Sequence, residues 1–283
     1  MWVKLDGIQN PIRFDGTDDL VDVLKAVLRG WPMDCSETSD DQAIIHISKG
    51  SNGYERRSPW IAQGTAVAHP DQVDAVCDLL LDLLRAHIEA NPERLALHAA
   101  GVEMGSGYDA GLVVFPSTHA TGKSLLTTAL AAQGHRVFAD DQLPVLPGSP
   151  TVGISPGFLP RLRRPLPDSL NTTLATFIRA HAGPMSDAFR YVDLDENVMA
   201  PLNTQAPIKA VVLLERQTGA KPGLKPATEN EVLKACILQS FGRKMGAIEV
   251  LDHLHALVQG VDCRTLTYED AEQAVALLED AFG

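Results

Sequence analysis

The feature that most constrains this chain is Gly122-Lys123-Ser124, set between an apolar strand and an apolar-rich helix. Residues 112–115, Leu-Val-Val-Phe, read as a buried strand. A polar loop covers 116–121, the spacing predicts a helix over 125–133, and Gly134 stands where a helix stop belongs. A short strand over 136–139 then ends in Asp140-Asp141. Strand, loop and helix in this order aim the first helical amides at whatever sits above the strand. Those amides lack intrahelical acceptors and carry the positive end of the helix dipole.

The side chains suit a phosphate group. Gly122 lets the backbone approach closely. Lys123 can reach terminal phosphate oxygens, and Ser124 can offer its hydroxyl to Mg²⁺. Asp140 and Asp141 supply the hard oxygens that Mg²⁺ wants. One of them could also accept a proton from an attacking hydroxyl. One position departs from the full phosphate-loop pattern, which has glycine where this chain has Ser117.

A chain of 283 residues with 45% hydrophobic content can build one large domain or two small ones. A net charge of −12 argues against nucleic acid and against anionic lipid as partners. Cys35, Cys77, Cys236 and Cys263 are widely spread, form no zinc pattern, and are expected as buried free thiols in a reducing cytosol. The first residues show no charged leader with an apolar core, and no apolar stretch approaches the ~20 residues that span a bilayer. A cytoplasmic protein is expected.

Residues 1–93 read as a small α+β module. Strands are expected at 2–5, 12–14 and 43–48, with 49–57 as a turn or hairpin tip and a helix entered at Thr17-Asp18-Asp19 and stopped at Gly30. The strongest helix covers 71–90, with Asp71 as N-cap and an apolar stripe of Val73, Val76, Cys77, Leu80, Leu81, Leu84 and Ile88.

Residues 94–283 form the second unit. A strand over 94–103 carries His98, which is either a satisfied core histidine or a group beside the phosphate loop. The turn composition of 104–110 puts His98 and the loop on adjacent antiparallel strands. Arg161, Arg163 and Arg164 cluster between prolines, either to steady phosphoryl charge or as a solvated loop. Residues 171–198 are polar and expected as a mobile segment or lid. A buried strand over 207–215, a loop over 218–226, helices over 229–241 and 248–258, a strand over 263–267 and a last helix to Phe282 complete the chain.

The runs LHAAGV and GLVVFPSTHATGKSLLTTALAAQGHRVFADD resemble the core of HPr kinase/phosphorylase and its bacterial paralogues. SPGFLPRLR and PIKAVVLLE, followed by two helices, look like the paralogues labelled HPr-kinase-related serine kinases. The resemblance covers about 94–283 and implies an α/β phosphate-loop kinase core of the HPr kinase/phosphoenolpyruvate carboxykinase type, with a mixed, largely antiparallel sheet. It implies nucleotide binding by Ser117, Thr118, His119, Ala120, Thr121, Gly122, Lys123, Ser124 and Leu125. It implies catalysis at Asp140, Asp141 and His98, to which the basic cluster adds Arg161. Ser124 and Asp141 are expected to hold Mg²⁺, with ATP as phosphoryl donor. Asp140 is favoured as the base.

The family loop reads G-x-S-G-x-G-K-S, so Ser117 and Ala120 replace two glycines. His119 projects from that loop, toward a phosphate or toward solvent. The segment that grips the protein substrate HPr has no recognised counterpart, and 1–93 does not read as the HPr enzyme's sensor domain. The expected function is a kinase moving the γ-phosphoryl of ATP to a hydroxyl on a protein, a peptide or a small molecule. The alternatives are a nucleotide-responsive regulatory or adaptor protein with a degenerate loop, and pyrophosphate-linked chemistry. The family's tendency to assemble implies a possible homo-oligomer.

Overall fold

The computed structural model describes residues 1–117, 121–168, 170–241 and 244–283. The chain opens with β1 (Trp2–Leu5), β2 (Ile12–Asp15), α1 (Asp19–Val27), β3 (Met33–Ser36), β4 (Ile45–Gly50), β5 (Gly53–Arg57), β6 (Val67–His69) and α2 (Gln72–Ala90). The strands make one sheet in the order β3-β1-β2-β4-β5-β6, antiparallel except where β2 runs beside β4. The turn expected over 49–57 is narrower, because Lys49 pairs with Tyr54 and Ser48 with Glu55. Alternation explains the strands: Val3, Leu5, Ile12, Phe14, Ile45 and Ile47 face the core while their neighbours face out.

Asp71 caps α2 by accepting from the Val73 and Asp74 amides. Burial of α2 goes beyond the expected stripe. Leu79, Asp82, Leu83 and His87 are also buried. Arg56 of β5 pairs with Asp82 and, at 2.7 Å, with Asp78. One turn earlier on the same face, Asp74 accepts from the Ser186 hydroxyl at 2.6 Å.

The chain continues through β7 (Leu95–Leu97), β8 (Ala99–Met104), β9 (Gly111–Pro116), α3 (Lys123–Ala132), β10 (Arg136–Ala139), β11 (Leu143–Leu146), β12 (Val152–Ile154) and β13 (Arg161–Arg163). Then follow α4 (Thr172–Ala180), β14 (Ala182–Met185), β15 (Phe189–Val192), β16 (Gln205–Arg216), β17 (Gly223–Pro226), α5 (Glu229–Gln239), α6 (Ala247–Gln259), β18 (Asp262–Tyr268) and α7 (Ala271–Phe282). The fold is mixed α/β. The main sheet runs β10-β8-β9-β16-β12-β11-β7, with β18 on β16 and β17 on β18. Among the described residues, only β9–β16 and β16–β18 are parallel in it.

The strand expected over 94–103 is broken at His98. β7 pairs with β11, whereas β8 pairs with β9 and β10. One residue therefore links the far end of the sheet to its opposite side, so the sheet must curl. Its inner face packs Leu97, Leu112, Val114, Leu143 and Ile208 with Val232, Cys236 and Leu257 of α5 and α6. Its other face, with Val102, Val113 and Phe115, joins Leu126 and Leu130 of α3, Leu278 of α7, and the α1 and α2 residues in one hydrophobic cluster. β9 is buried on both faces, which is why its sequence is unbroken apolar.

Residues 27–31 join the first half of the chain to the second. Arg29 N donates to Gly157 O at 2.7 Å, Leu159 N to Val27 O at 3.0 Å, and Trp31 Nε1 to Pro156 O at 2.7 Å. Gly157 has φ +66°, and a Cβ there would stand 2.2 Å from Arg29 O. Close backbone approach thus requires glycine.

The segment expected as a mobile lid is packed instead. β13, β15 and β14 form a three-stranded sheet, and Leu174, Ile178, Tyr191 and Val192 are buried. The loop expected over 218–226 contains β17, held by pairing with β18 rather than by its own pattern. Only Cys236 of the four free cysteines is buried; Cys35 is exposed, and Cys77 and Cys263 are half-buried. Among the described residues, no helix is long and apolar enough to cross a membrane.

Candidate active site

β9 delivers the chain to the loop and α3 leaves it. Gly122 has φ +94°, a left-handed conformation, and a Cβ there would meet Tyr268 Oη at 2.9 Å. Tyr268, at the end of β18, donates from that hydroxyl to Thr121 O at 2.9 Å. Burial pushes the phenol up to about 12, so it stays a donor. Ser117 and Thr121 share a hydroxyl hydrogen bond of 2.7 Å. Thr118, His119 and Ala120 lie outside the described residues.

Lys123 is the first residue of α3, yet only 6% exposed. Its Nζ turns back over the loop, donating to Ser117 O at 2.7 Å and lying 3.5 Å from His98 Nε2. Burial lowers its pKa, and the carboxylates of Asp141 and Asp140 oppose that shift.

His98 sits at the break between β7 and β8, where its amide donates to Gln239 O at 2.8 Å. Its Nδ1 lies 2.8 Å from Gln239 Oε1 and its Nε2 lies 2.8 Å from Asp141 Oδ1. A carboxylate only accepts, so Nε2 carries a proton toward Asp141. The Gln239 amide can meet either state of Nδ1 by presenting its oxygen or its nitrogen. The histidine thus bridges α5 to the acid pair.

Asp140 is 7% exposed. Its Oδ2 accepts from Arg161 N at 2.9 Å, and its carboxylate hydrogen-bonds Ser124. Burial, then the charge of Asp141, raises its pKa to about 7, against the pull of those hydrogen bonds and of Lys123. The Arg161 guanidinium lies 3.9 Å from Asp141 Oδ2, stacks on Phe189 at 4.6 Å and touches Cys77 Sγ of α2.

A cleft of about 840 Å³, open to solvent, lies over the start of α3. Gly122, Lys123, Ser124, Leu125 and Asp141 line it together with Arg161, Arg163 and Arg216. Of the expected residues, His98, Lys123, Ser124, Asp140, Asp141 and Arg161 come together around the acid pair. Ser117 joins through Lys123, while Thr121 and Leu125 line the cleft. Arg164 turns away, donating to Ser186 O.

Gln239, Tyr268, Arg216 and Cys77 were not identifiable as site residues in the sequence. Each arrives from a distant element and carries no local motif.

No cluster of three or more His, Cys, Asp or Glu side chains is set to hold a metal among the described residues. Mg²⁺ does not need one, since it commonly takes one or two carboxylates plus phosphates. The donor set here fits it: two adjacent carboxylates, one pushed up by burial and then by the other's charge, beside the Ser124 hydroxyl.

No protein-family model matches the chain, and no curated protein matches it. Among solved structures, the chain is similar to the Hpr(Ser) kinase/phosphatase from Coxiella burnetii at 12% identity and a TM-score of 0.34. The match covers 66% of this chain and 95% of that one.

Proposed function

We propose that the protein is an ATP-dependent kinase that transfers a phosphoryl group to a hydroxyl. One observation carries this reading: a buried lysine at a helix start lies within 3.5 Å of a histidine that is hydrogen-bonded to an acid pair, beside an arginine-lined cleft. Lys123 and the first amides of α3 bind the phosphates. Arg163 and Arg216 supply further positive charge in the cleft, and Arg161 steadies the charge that develops on the transferred group. Asp140, held by Arg161 N and Ser124, takes the proton of the acceptor hydroxyl. His98 holds Asp141 in place. Ser124 and Asp141 would hold Mg²⁺, which neutralises phosphate charge when bound.

We further propose that 1–93 and 94–283 are the two units of a cytoplasmic protein. Calorimetric titration with Mg-ATP, followed by ADP release over a panel of hydroxyl acceptors, tests the kinase reading. Binding with acceptor-dependent ADP release is expected. Absence of binding contradicts it, and binding without turnover favours an adaptor.

A further inference from the structure

β13 carries Arg161 and Arg163 with the buried Leu162 between them. Both arginines therefore project from one face of the strand, about 7 Å apart along it. The register agrees. Arg163 is paired with Phe189, the ring on which Arg161 stacks, and residues opposite each other share a face. Both arginines line the cleft over the start of α3, whereas Arg164 turns to Ser186 O.

Their surroundings differ. Arg161 lies 3.9 Å from Asp141 Oδ2. Arg163 is exposed, and its side chain has no ion pair or hydrogen bond among the described residues. Arg216, the remaining arginine of the cleft, belongs to the phosphate loop. Its Nε donates to Glu269 O at 3.1 Å, and its Cδ lies 3.6 Å from where a Gly122 Cβ would stand.

The cleft thus carries an excess of positive charge. Among its described lining residues, Lys123, Arg161, Arg163 and Arg216 face the single carboxylate of Asp141. Burial lowers the pKa of Lys123 and of Arg161, and the charge of Arg163 lowers both further. An anion in the cleft relieves that repulsion. Magnesium neutralises part of a triphosphate's charge, and Lys123, Arg216 and the α3 amides stand at the loop to meet the rest. Arg163 belongs to a different wall, with Leu162, Pro165, Leu166 and Pro167.

Resting on the kinase reading above, we propose that Arg163 binds the phosphoryl acceptor, and that the acceptor is a small hydroxy acid whose carboxylate pairs with this guanidinium. Two parallel N–H donors match a planar carboxylate. A phosphate dianion calls for more donors than one guanidinium on an apolar wall supplies. β13 also fixes the hydroxyl end, because Arg161 N holds Asp140 Oδ2 at 2.9 Å two residues before Arg163. A short molecule therefore spans the two ends. In the transfer, the acceptor oxygen bonds the γ-phosphorus and its proton passes to the Asp140 carboxylate. The bond from that phosphorus to the β–γ bridging oxygen breaks, ADP leaves with the electron pair, and Asp140 returns its proton to water.

The test measures phosphoryl transfer from labelled Mg-ATP to matched pairs: D-glycerate against glyceramide, and N-acetyl-L-serine against N-acetyl-L-serinamide. Glycerol 3-phosphate and a capped seryl peptide amide are run beside them. At least one acid is expected to exceed its amide by about tenfold or more in kcat/KM. Arg163→Gln should bring that ratio close to unity. Arg163→Lys should restore part of it, since lysine keeps the charge and loses the fork. The nucleotide is common to both members of a pair, so an effect on Mg-ATP or a loss of folded protein cancels in the ratio. Amides that match their acids, preference for glycerol 3-phosphate or the peptide, or an unchanged ratio in Arg163→Gln overturns the proposal. So does a lack of transfer to either acid by protein that binds Mg-ATP. Failure of the wild type to bind Mg-ATP is a different result: it removes the kinase reading, and the acceptor assignment with it.

Discussion

Asp140 is a carboxylate held where charge is expensive, and that has two measurable consequences. Its folded pKa of about 7 exceeds the ordinary aspartate value of 3.8. Between those values the folded state binds more protons than the unfolded one, so stability falls as pH rises through the window. Asp140→Asn removes this penalty. The nucleotide-free variant should be more stable than the wild type above pH 7, by on the order of a few kcal/mol, and the gain should vanish near pH 4. Chemical denaturation at the two pH values measures it, and a variant less stable at both contradicts it. The same substitution should cut phosphoryl transfer roughly 10²–10⁴-fold while sparing Mg-ATP binding. Unchanged turnover would remove Asp140 as the base. Lys123→Ala tests the other half of the cluster. Loss of one charged hydrogen bond to phosphate should weaken Mg-ATP binding by about 1.5–3 kcal/mol in calorimetry. Unaltered affinity would mean that the phosphates bind elsewhere. Lys123 and the acid pair were legible in the sequence because strand, loop and helix announce themselves locally. Gln239 and Tyr268 were not, because nothing near either residue hints at its partner.

At the scale of elements, the start of α3 and the burial of α2 make separate claims. Gly122 combines a left-handed backbone with a close neighbour in Tyr268 Oη. Gly122→Ala should cost about 1–3 kcal/mol in urea unfolding and weaken nucleotide binding, because strain and displacement act on the same loop. α2 is held to its sheet by Arg56, whose side chain is 7% exposed and faces Asp82 and Asp78. Asp82→Ala leaves that guanidinium short of a buried partner and should destabilise by roughly 3–5 kcal/mol. A loss below ~1 kcal/mol would show the pair to be dispensable. The apolar stripe of α2 was readable from its 3.6-residue period. Burial of its remaining sides was not, since Asp82 and His87 look like surface residues until Arg56 and the second half of the chain are in place. Likewise β17 has no strand pattern of its own and exists through β18, while 171–198 look like a lid because burial is confined to a few positions such as Leu174, Ile178 and Tyr191.

For the whole molecule, the curl of the main sheet is what assembles the site. The single-residue step at His98 carries the chain from β7 to β8, leaving the histidine where α5, the acid pair and Lys123 converge. The sequence showed one strand running through His98 and not the break, because pairing partners lie far away in the chain. Docking of the first half through residues 27–31 and Gly157 then sets α2 against Arg161. Disrupting that docking with Gly157→Ala, whose Cβ would clash with Arg29 O, should lower Tm and reduce transfer together, whereas Lys123→Ala should reduce transfer without lowering Tm. The most direct test of the central claim is a crystal structure with Mg²⁺ and a non-hydrolysable ATP analogue. We expect the terminal phosphate between Lys123 Nζ and the Asp140–Asp141 carboxylates, with the earlier phosphates over the first amides of α3. Phosphates bound away from α3, with Lys123 still on Ser117 O, would contradict it.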